Sequence, residues 1–206
     1  MADIRVGGLE RLSTCDWPGE LVATVFLQGC PWDCPYCHNP HLIPVRGKGM
    51  LDWTGVLGFL ATRRGLIDGV VFSGGEPTLQ RALPEAMKAV HALGLKVGLH
   101  TAGPYPGRFS AVLPLCDWVG FDVKAPFAEY RRVTGAGGSG EKARESLMRL
   151  LESGVAHQVR TTVDPSLLDE AAVKRMGAEL AALGVAQHAL QEFRLAGTRP
   201  NRPVHA

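Results

Sequence analysis

Six short apolar runs, separated by polar or amphipathic stretches, set the strongest limit on how this 206-residue chain can fold. They are Val22–Leu27, Gly69–Phe72, Lys96–His100, Trp118–Val123, Gln158–Val163 and Ala186–Glu192. Short, near-continuous apolar strands are what a parallel sheet covered by helices requires. Helical stretches near 52–64, 79–93, 141–153 and 167–183 lie between most of them. The clearest is 141–151, where Ala143, Leu147, Leu150 and Leu151 recur at helical spacing. Gly94, Gly154 and Gly184 stand just past three of these stretches, where a left-handed C-terminal cap is wanted. The alternation predicts an α/β fold of parallel strands with outer helices. Six units are too few for a closed eight-unit barrel, so the expectation is a partial, TIM-like (β/α)6 barrel. One domain over residues 1–195 is expected, then a loose tail over 196–206, which holds two prolines and a glycine and lacks apolar periodicity.

Other classes fall away on charge and length. A net charge of +2 argues against nucleic acid or an anionic membrane as partner. The longest apolar stretch, Leu21–Leu27, is far short of the roughly 20 residues of a membrane helix. The opening residues lack a secretory signal pattern, so a cytoplasmic protein is expected. Three of the five cysteines fall within eight positions, which in a reducing compartment points to metal or catalysis and not to disulfides. Cys15 and Cys116 stand apart and read as ordinary buried thiols. Gly135–Gly140 formally fits G-x-G-x-x-G, but Phe127–Val133 before it looks helical. A dinucleotide turn needs a strand there, so Ala136–Gly140 is expected to be a loop.

Reactive-looking residues collect just after the strands: Gln28-Gly29-Cys30, Ser73-Gly74-Gly75-Glu76, Thr101-Ala102-Gly103, and Asp122 with Lys124. In parallel α/β folds the carboxyl ends of the strands are where sites are built. The loop 29–40 carries Cys30, Cys34 and Cys37. Three thiolates from one loop can cap three irons of a cubane cluster and leave the fourth open. Pro31 and Pro35 turn the cysteines before them away from helical geometry. Zinc bound by the three cysteines and His38 is chemically reasonable, although adjacent Cys37 and His38 are awkward ligands to one ion. Cys34–His38 also fits the C-x-x-C-H haem attachment pattern, which leaves Cys30 unexplained. Inert buried thiols fit this polar loop worst. The cluster ranks first, zinc second and haem third.

The spacing Cys-x-x-x-Cys-x-x-Cys after a strand resembles the signature of the radical S-adenosylmethionine (SAM) superfamily. The wider string, from Gly8-Leu9 through Asp16-Trp17-Pro18-Gly19 and Thr24–Cys30 to Cys37-His38-Asn39-Pro40, is similar to activating proteins of anaerobic ribonucleoside-triphosphate reductase, relatives of pyruvate formate-lyase activase. Further matches run to Phe193-Arg194. The resemblance implies one [4Fe-4S] cluster on Cys30, Cys34 and Cys37, with S-adenosylmethionine on its open iron. One electron would cleave that ligand, and the radical released would take a hydrogen from a backbone glycine of a partner enzyme. It also implies ligand contacts. Gly74, Gly75 and Glu76 would meet the amino group, Asp122 and Lys124 the amino and carboxylate groups, and Arg160 the ribose. Tyr36 and His38 would pack near adenine and cluster. Thr101 stands where the family commonly has Thr-Asn-Gly; here Ala102 replaces the Asn. Gln191, Phe193 and Arg194 resemble a terminal element without an assigned role, and His100 reads equally as a core histidine. No cysteine lies between Cys37 and Cys116, so a single cluster is expected. The implied partners are a glycyl-radical enzyme and reduced flavodoxin or ferredoxin as electron donor. The competing readings are a radical enzyme acting on a small molecule and a zinc-stabilised binding module.

Overall fold

In the computed structural model, which describes residues 4–47, 50–199 and 205, seven strands form one sheet in chain order. Six of them are parallel neighbours: β2 (Val22–Leu27), β3 (Gly69–Gly74), β4 (Lys96–Thr101), β5 (Trp118–Asp122), β6 (Ala156–Val163) and β7 (His188–Glu192). These are the six strands expected, with small shifts at their ends. The seventh, β1 (Val6–Ser13), is an addition: it pairs antiparallel with the outer edge of β2. The cysteine loop therefore follows the second strand and not the first.

Among the described residues, six α-helices complete the units: α1 (Trp53–Ala61), α2 (Leu83–Ala92), α3 (Pro106–Val112), α4 (Tyr130–Thr134), α5 (Ser139–Ser153) and α6 (Glu170–Ala182). Asp52 and Asp169 start α1 and α6 by accepting the amides of Gly55 and Ala172, which helix N-termini otherwise leave unpaired. Gly94, Gly154 and Gly184 follow α2, α5 and α6 with φ of 76°, 71° and 92°, as their positions predicted. The Gly135–Gly140 stretch is no dinucleotide turn, for α4 precedes it. Its loop is shorter than expected, because Ser139 and Gly140 already belong to α5 and are buried. Cys15 is exposed and not the buried thiol expected, whereas Cys116 is partly buried and packs against the core.

Strand alternation divides the side chains between two environments. Val25, Leu27, Phe72, Leu99, Phe121 and Val159 point to the helices and are buried with Leu60, Met87, Phe109, Leu147 and Met176. On the other face Val22, Val71 and Trp118 join Trp17 from the β1–β2 connection in a second, smaller cluster. Trp17 stacks on Trp118 at 5.4 Å between ring centroids. This apolar plug fills the concave side near the strands' amino ends, which leaves the carboxyl ends to polar side chains. No helix among the described residues is long and apolar enough to cross a membrane.

Candidate active site

β2 delivers Gln28, Gly29 and Cys30 to the carboxyl edge, and the loop after it is fastened by its own backbone. Gly29 N donates to Leu42 O (2.7 Å), Cys30 N to Ile43 O (3.0 Å) and Cys37 N to Cys34 O (3.1 Å). The buried Gln28 side chain donates to the carbonyls of His41 (3.1 Å) and Pro44 (2.6 Å), so the returning arm is tied to the strand. Cys30, Cys34 and Cys37 all line one cavity of about 190 Å³, together with Gly74, Gly75, Glu76, Thr101, Asp122, Lys124 and Arg160. Burial pushes all three thiols up; Cys34 rises to about 11, although the Lys124 ammonium partly counters it. A thiol held protonated in this way gives up its proton when a metal binds it.

The Gly74–Glu76 turn is demanded by the chain itself. Gly74 has φ +113°, and a Cβ there would collide with the backbone of Leu27; a Cβ on Gly75 would collide with the carbonyl of Gly29. Only glycine lets β3 and the cysteine loop approach so closely. Glu76 is fully buried and braces this turn. Its Oε1 accepts from Thr78 N (3.0 Å), Thr78 Oγ1 (2.5 Å) and Thr101 Oγ1 (2.7 Å), and its Oε2 from Ala102 N (3.1 Å). Burial raises its pKa against these donors. Thr101 is thus a donor to Glu76, and the backbone of Ala102 bonds the same carboxylate where the family's Asn would stand.

Asp122 ends β5 and Lys124 follows two residues on; both line the cavity and pair with each other at 3.3 Å. The β5–β6 register sets Asp122 directly beside Arg160, whose Nε donates to Asp122 Oδ1 at 2.5 Å. Burial opposes the Asp122 charge, but Arg160 and Lys124 outweigh it and hold the carboxyl far below the usual range. Burial likewise opposes the charge on Lys124, and the carboxylate of Asp122 overcomes it. His100 lies beneath, 3.2 Å from Ser73 Oγ through Nδ1 and 2.7 Å from the Asp16 carbonyl through Nε2. Burial, then the Arg160 charge, lower its pKa to about 4, so it is a neutral, satisfied histidine that also lines the cavity.

Tyr36 is buried, with the Lys124 ammonium 5.7 Å from its ring centroid, and its hydroxyl has no hydrogen-bond partner among the described residues. His38 Nε2 lies 2.8 Å from the Arg194 carbonyl and its ring 6.2 Å from Phe193. The terminal element without an assigned role therefore packs on the cysteine loop. Arg199 also reaches that loop, in an ion pair with Asp33, as does His205, whose Nε2 is 2.9 Å from the Asp33 carbonyl. Residues 200–204 and 206 of the tail lie outside the described residues. Sequence reasoning missed Trp32, buried in the cavity wall, and Tyr130, whose hydroxyl accepts the Lys124 amide at 3.0 Å. Neither carries a local pattern that marks it.

The donor set suits an iron–sulfur cluster: three thiols on one pinned loop, beside an orphaned buried hydroxyl of the kind a bound molecule satisfies. Among the described residues no three His, Cys, Asp or Glu are gathered around a single-ion position. Comparison with known proteins points the same way. The family model of the radical SAM superfamily matches residues 24–176. A protein of Methanocaldococcus jannaschii, described as a candidate glycyl-radical enzyme activating enzyme, is 32% identical over 80% of this chain and 70% of its own length. The pyruvate formate-lyase-activating enzyme of Clostridium pasteurianum is 31% identical over 80% of this chain and 71% of its own. QueE from Escherichia coli shares the fold with a TM-score of 0.59 at 18% identity, over 92% of this chain and 84% of that one. The chain belongs to the radical SAM superfamily, enzymes that work with a [4Fe-4S] cluster and S-adenosylmethionine, and it is similar within it to glycyl-radical enzyme activating enzymes.

Proposed function

We propose that Cys30, Cys34 and Cys37 hold three irons of the cluster, and that the chain is an activase installing a glycyl radical in a partner enzyme. The partner assigned is anaerobic ribonucleoside-triphosphate reductase or a close relative of it. The observation that carries the reading is the single cavity joining the three thiols to Asp122, Lys124 and Arg160. When bound, the cluster supplies the electron that splits S-adenosylmethionine into methionine and a radical able to take a glycine hydrogen.

The chain's own part is charge and position. The ligand is a zwitterion at its methionine end, and Asp122 with Lys124 is the complementary pair. Asp122 would hold its ammonium and Lys124 its carboxylate, charge against opposite charge. Arg160 is left with donors for the ribose. Gly74 and Gly75 bring backbone close to the amino group, Glu76 and Thr101 hold that turn in shape, and Tyr36 and His38 flank the adenine. The reductant is flavodoxin or ferredoxin, and the compartment is the reducing cytoplasm, where three free thiols persist.

Anaerobic reconstitution, reduction of the cluster by dithionite and then addition of S-adenosylmethionine test the first half. The expected product is 5′-deoxyadenosine, and its absence despite an intact, reducible cluster refutes the reading. For the second half, the reductase treated with the activase and then exposed to oxygen is expected to be cut at one glycine. An uncut reductase, with 5′-deoxyadenosine formed, would move the assignment to another substrate.

A further inference from the structure

Next to the strand end that carries Cys30, and sharing no lining residue with the ligand cavity, three arginines line an open cleft. We propose that this cleft docks an acidic electron-transfer protein, which reduces the chain's iron–sulfur centre from there. The inference rests on the cluster assignment above. The cleft holds about 410 Å³ between Arg5, Val45, Leu79, Gln80, Arg81 and Arg108. A second hollow of about 290 Å³ shares Gln80, Arg81 and Arg108 with it and adds the apolar Leu83 and Val112. Among the described residues, no Asp or Glu lines either one.

The three guanidinium groups have no carboxylate partner among the described residues. Arg5 Nε is buried without a hydrogen-bond partner among the described residues. Arg81 is exposed. Arg108 lies over the Tyr105 ring, 4.7 Å from its centroid, and donates to the Leu79 carbonyl at 2.6 Å. In a chain whose net charge is only +2, three uncompensated arginines in one hollow are a local field and not a general basicity. Arginines around an apolar floor, with Val45 53% exposed, are the composition of a protein-binding surface, and their sign selects an acidic partner.

The position of the cleft selects a reductant among acidic partners. Leu79 and Val45, which line it, also close over Gly29, the residue before Cys30. Gln80 donates to the Gln28 carbonyl at 3.0 Å and to the Arg5 carbonyl at 2.9 Å, and accepts the Arg5 amide at 2.8 Å. The floor of the cleft is therefore bonded to the strand end that carries the first cysteine. One electron leaves the partner, which is oxidised by that electron, and enters the iron–sulfur centre, with no bond made or broken and no proton moved.

The test titrates flavodoxin into the reconstituted protein by calorimetry. Wild type is expected to bind, and to bind more weakly as salt rises. Arg81→Glu combined with Arg5→Gln should weaken binding about tenfold or more, while Arg144→Glu on the exposed face of α5 changes it by less than about twofold. Arg108 is left intact because it holds the turn after Glu76. Driven by dithionite, the double variant should form 5′-deoxyadenosine at the wild-type rate; driven by reduced flavodoxin, it should fall behind. Absence of flavodoxin binding to wild type, or undiminished binding by the double variant, overturns the proposal. Failure of wild type with dithionite would instead strike the cluster and ligand reading, and the binding data would still decide the docking surface.

Discussion

Asp122→Asn removes the one negative charge that Arg160 and Lys124 share, at 2.5 and 3.3 Å. At an effective dielectric constant near 20, unit charges about 3 Å apart attract by about 5 kcal/mol before desolvation is subtracted. The Asp122 side chain is 28% exposed, against 12% for Arg160 and 16% for Lys124, so water screens part of the interaction. Two cations left facing each other in a largely dry site should then cost about 2–3 kcal/mol net, toward the low end for a broken buried pair. With a urea slope of about 2 kcal/mol/M, the unfolding midpoint of the iron-free protein should drop by about 1 M at pH 7. Because Asp122 is held well below the usual carboxylate range, its contribution is complete above a pH of about 4 and is lost as the pH falls below that. The gap between variant and wild type should narrow in acid accordingly. Adding Arg160→Met should cost less than the two single changes summed, since it removes one stranded cation. Equal midpoints for Asp122→Asn and wild type at pH 7 would refute the claim that this trio is a compensated unit.

Replacing Cys30, Cys34 or Cys37 singly with Ala should abolish iron and sulfide retention after reconstitution while leaving the far-ultraviolet spectrum of the iron-free protein unchanged, because backbone bonds and not metal shape the loop. Gly74→Ala should destabilise by about 2–4 kcal/mol, read as a lowered melting temperature, since φ +113° and the Leu27 backbone both refuse a Cβ. For His100, a folded pKa near 4 against 6.5 unfolded means the unfolded chain binds the extra proton. Stability should therefore fall as pH drops from about 6.5 to 4, by about 3 kcal/mol as an upper bound, and His100→Asn should flatten that slope in urea titrations at successive pH values.

β2, β3 and β5 were legible because each is apolar on both faces: one side meets the helices, and the other gives Val22, Val71 or Trp118 to the cluster around Trp17. β1 was not, for an edge strand needs only a few buried residues. In Val-Gly-Gly-Leu-Glu-Arg-Leu-Ser only Val6 and Ser13 are buried, and the Gly pair breaks the apolar run. α3 escaped for a similar reason: over Pro106–Val112 only Phe109 and Val112 reach the core, too few to show a helical period. The caps at Gly94, Gly154 and Gly184 were visible because the left-handed conformation they need is one that glycine alone adopts without strain.

The site divides along the same line between local and long-range causes. Three cysteines in one loop announce themselves by spacing, since a single short segment must present all of them. The pairing of Asp122 with Arg160 depends instead on register, and nothing near either residue encodes the other. The register is nevertheless fixed by the core. Phe121 and Val159, one step before each of them, are paired neighbours buried against the helices. Sliding β6 by one residue would bury Arg160 among those apolar side chains and turn Val159 into the cavity. The charges at the mouth of the barrel are thus aligned by apolar residues that never touch a ligand. An ion trio chosen for chemistry can then be held in place without contributing much stability of its own.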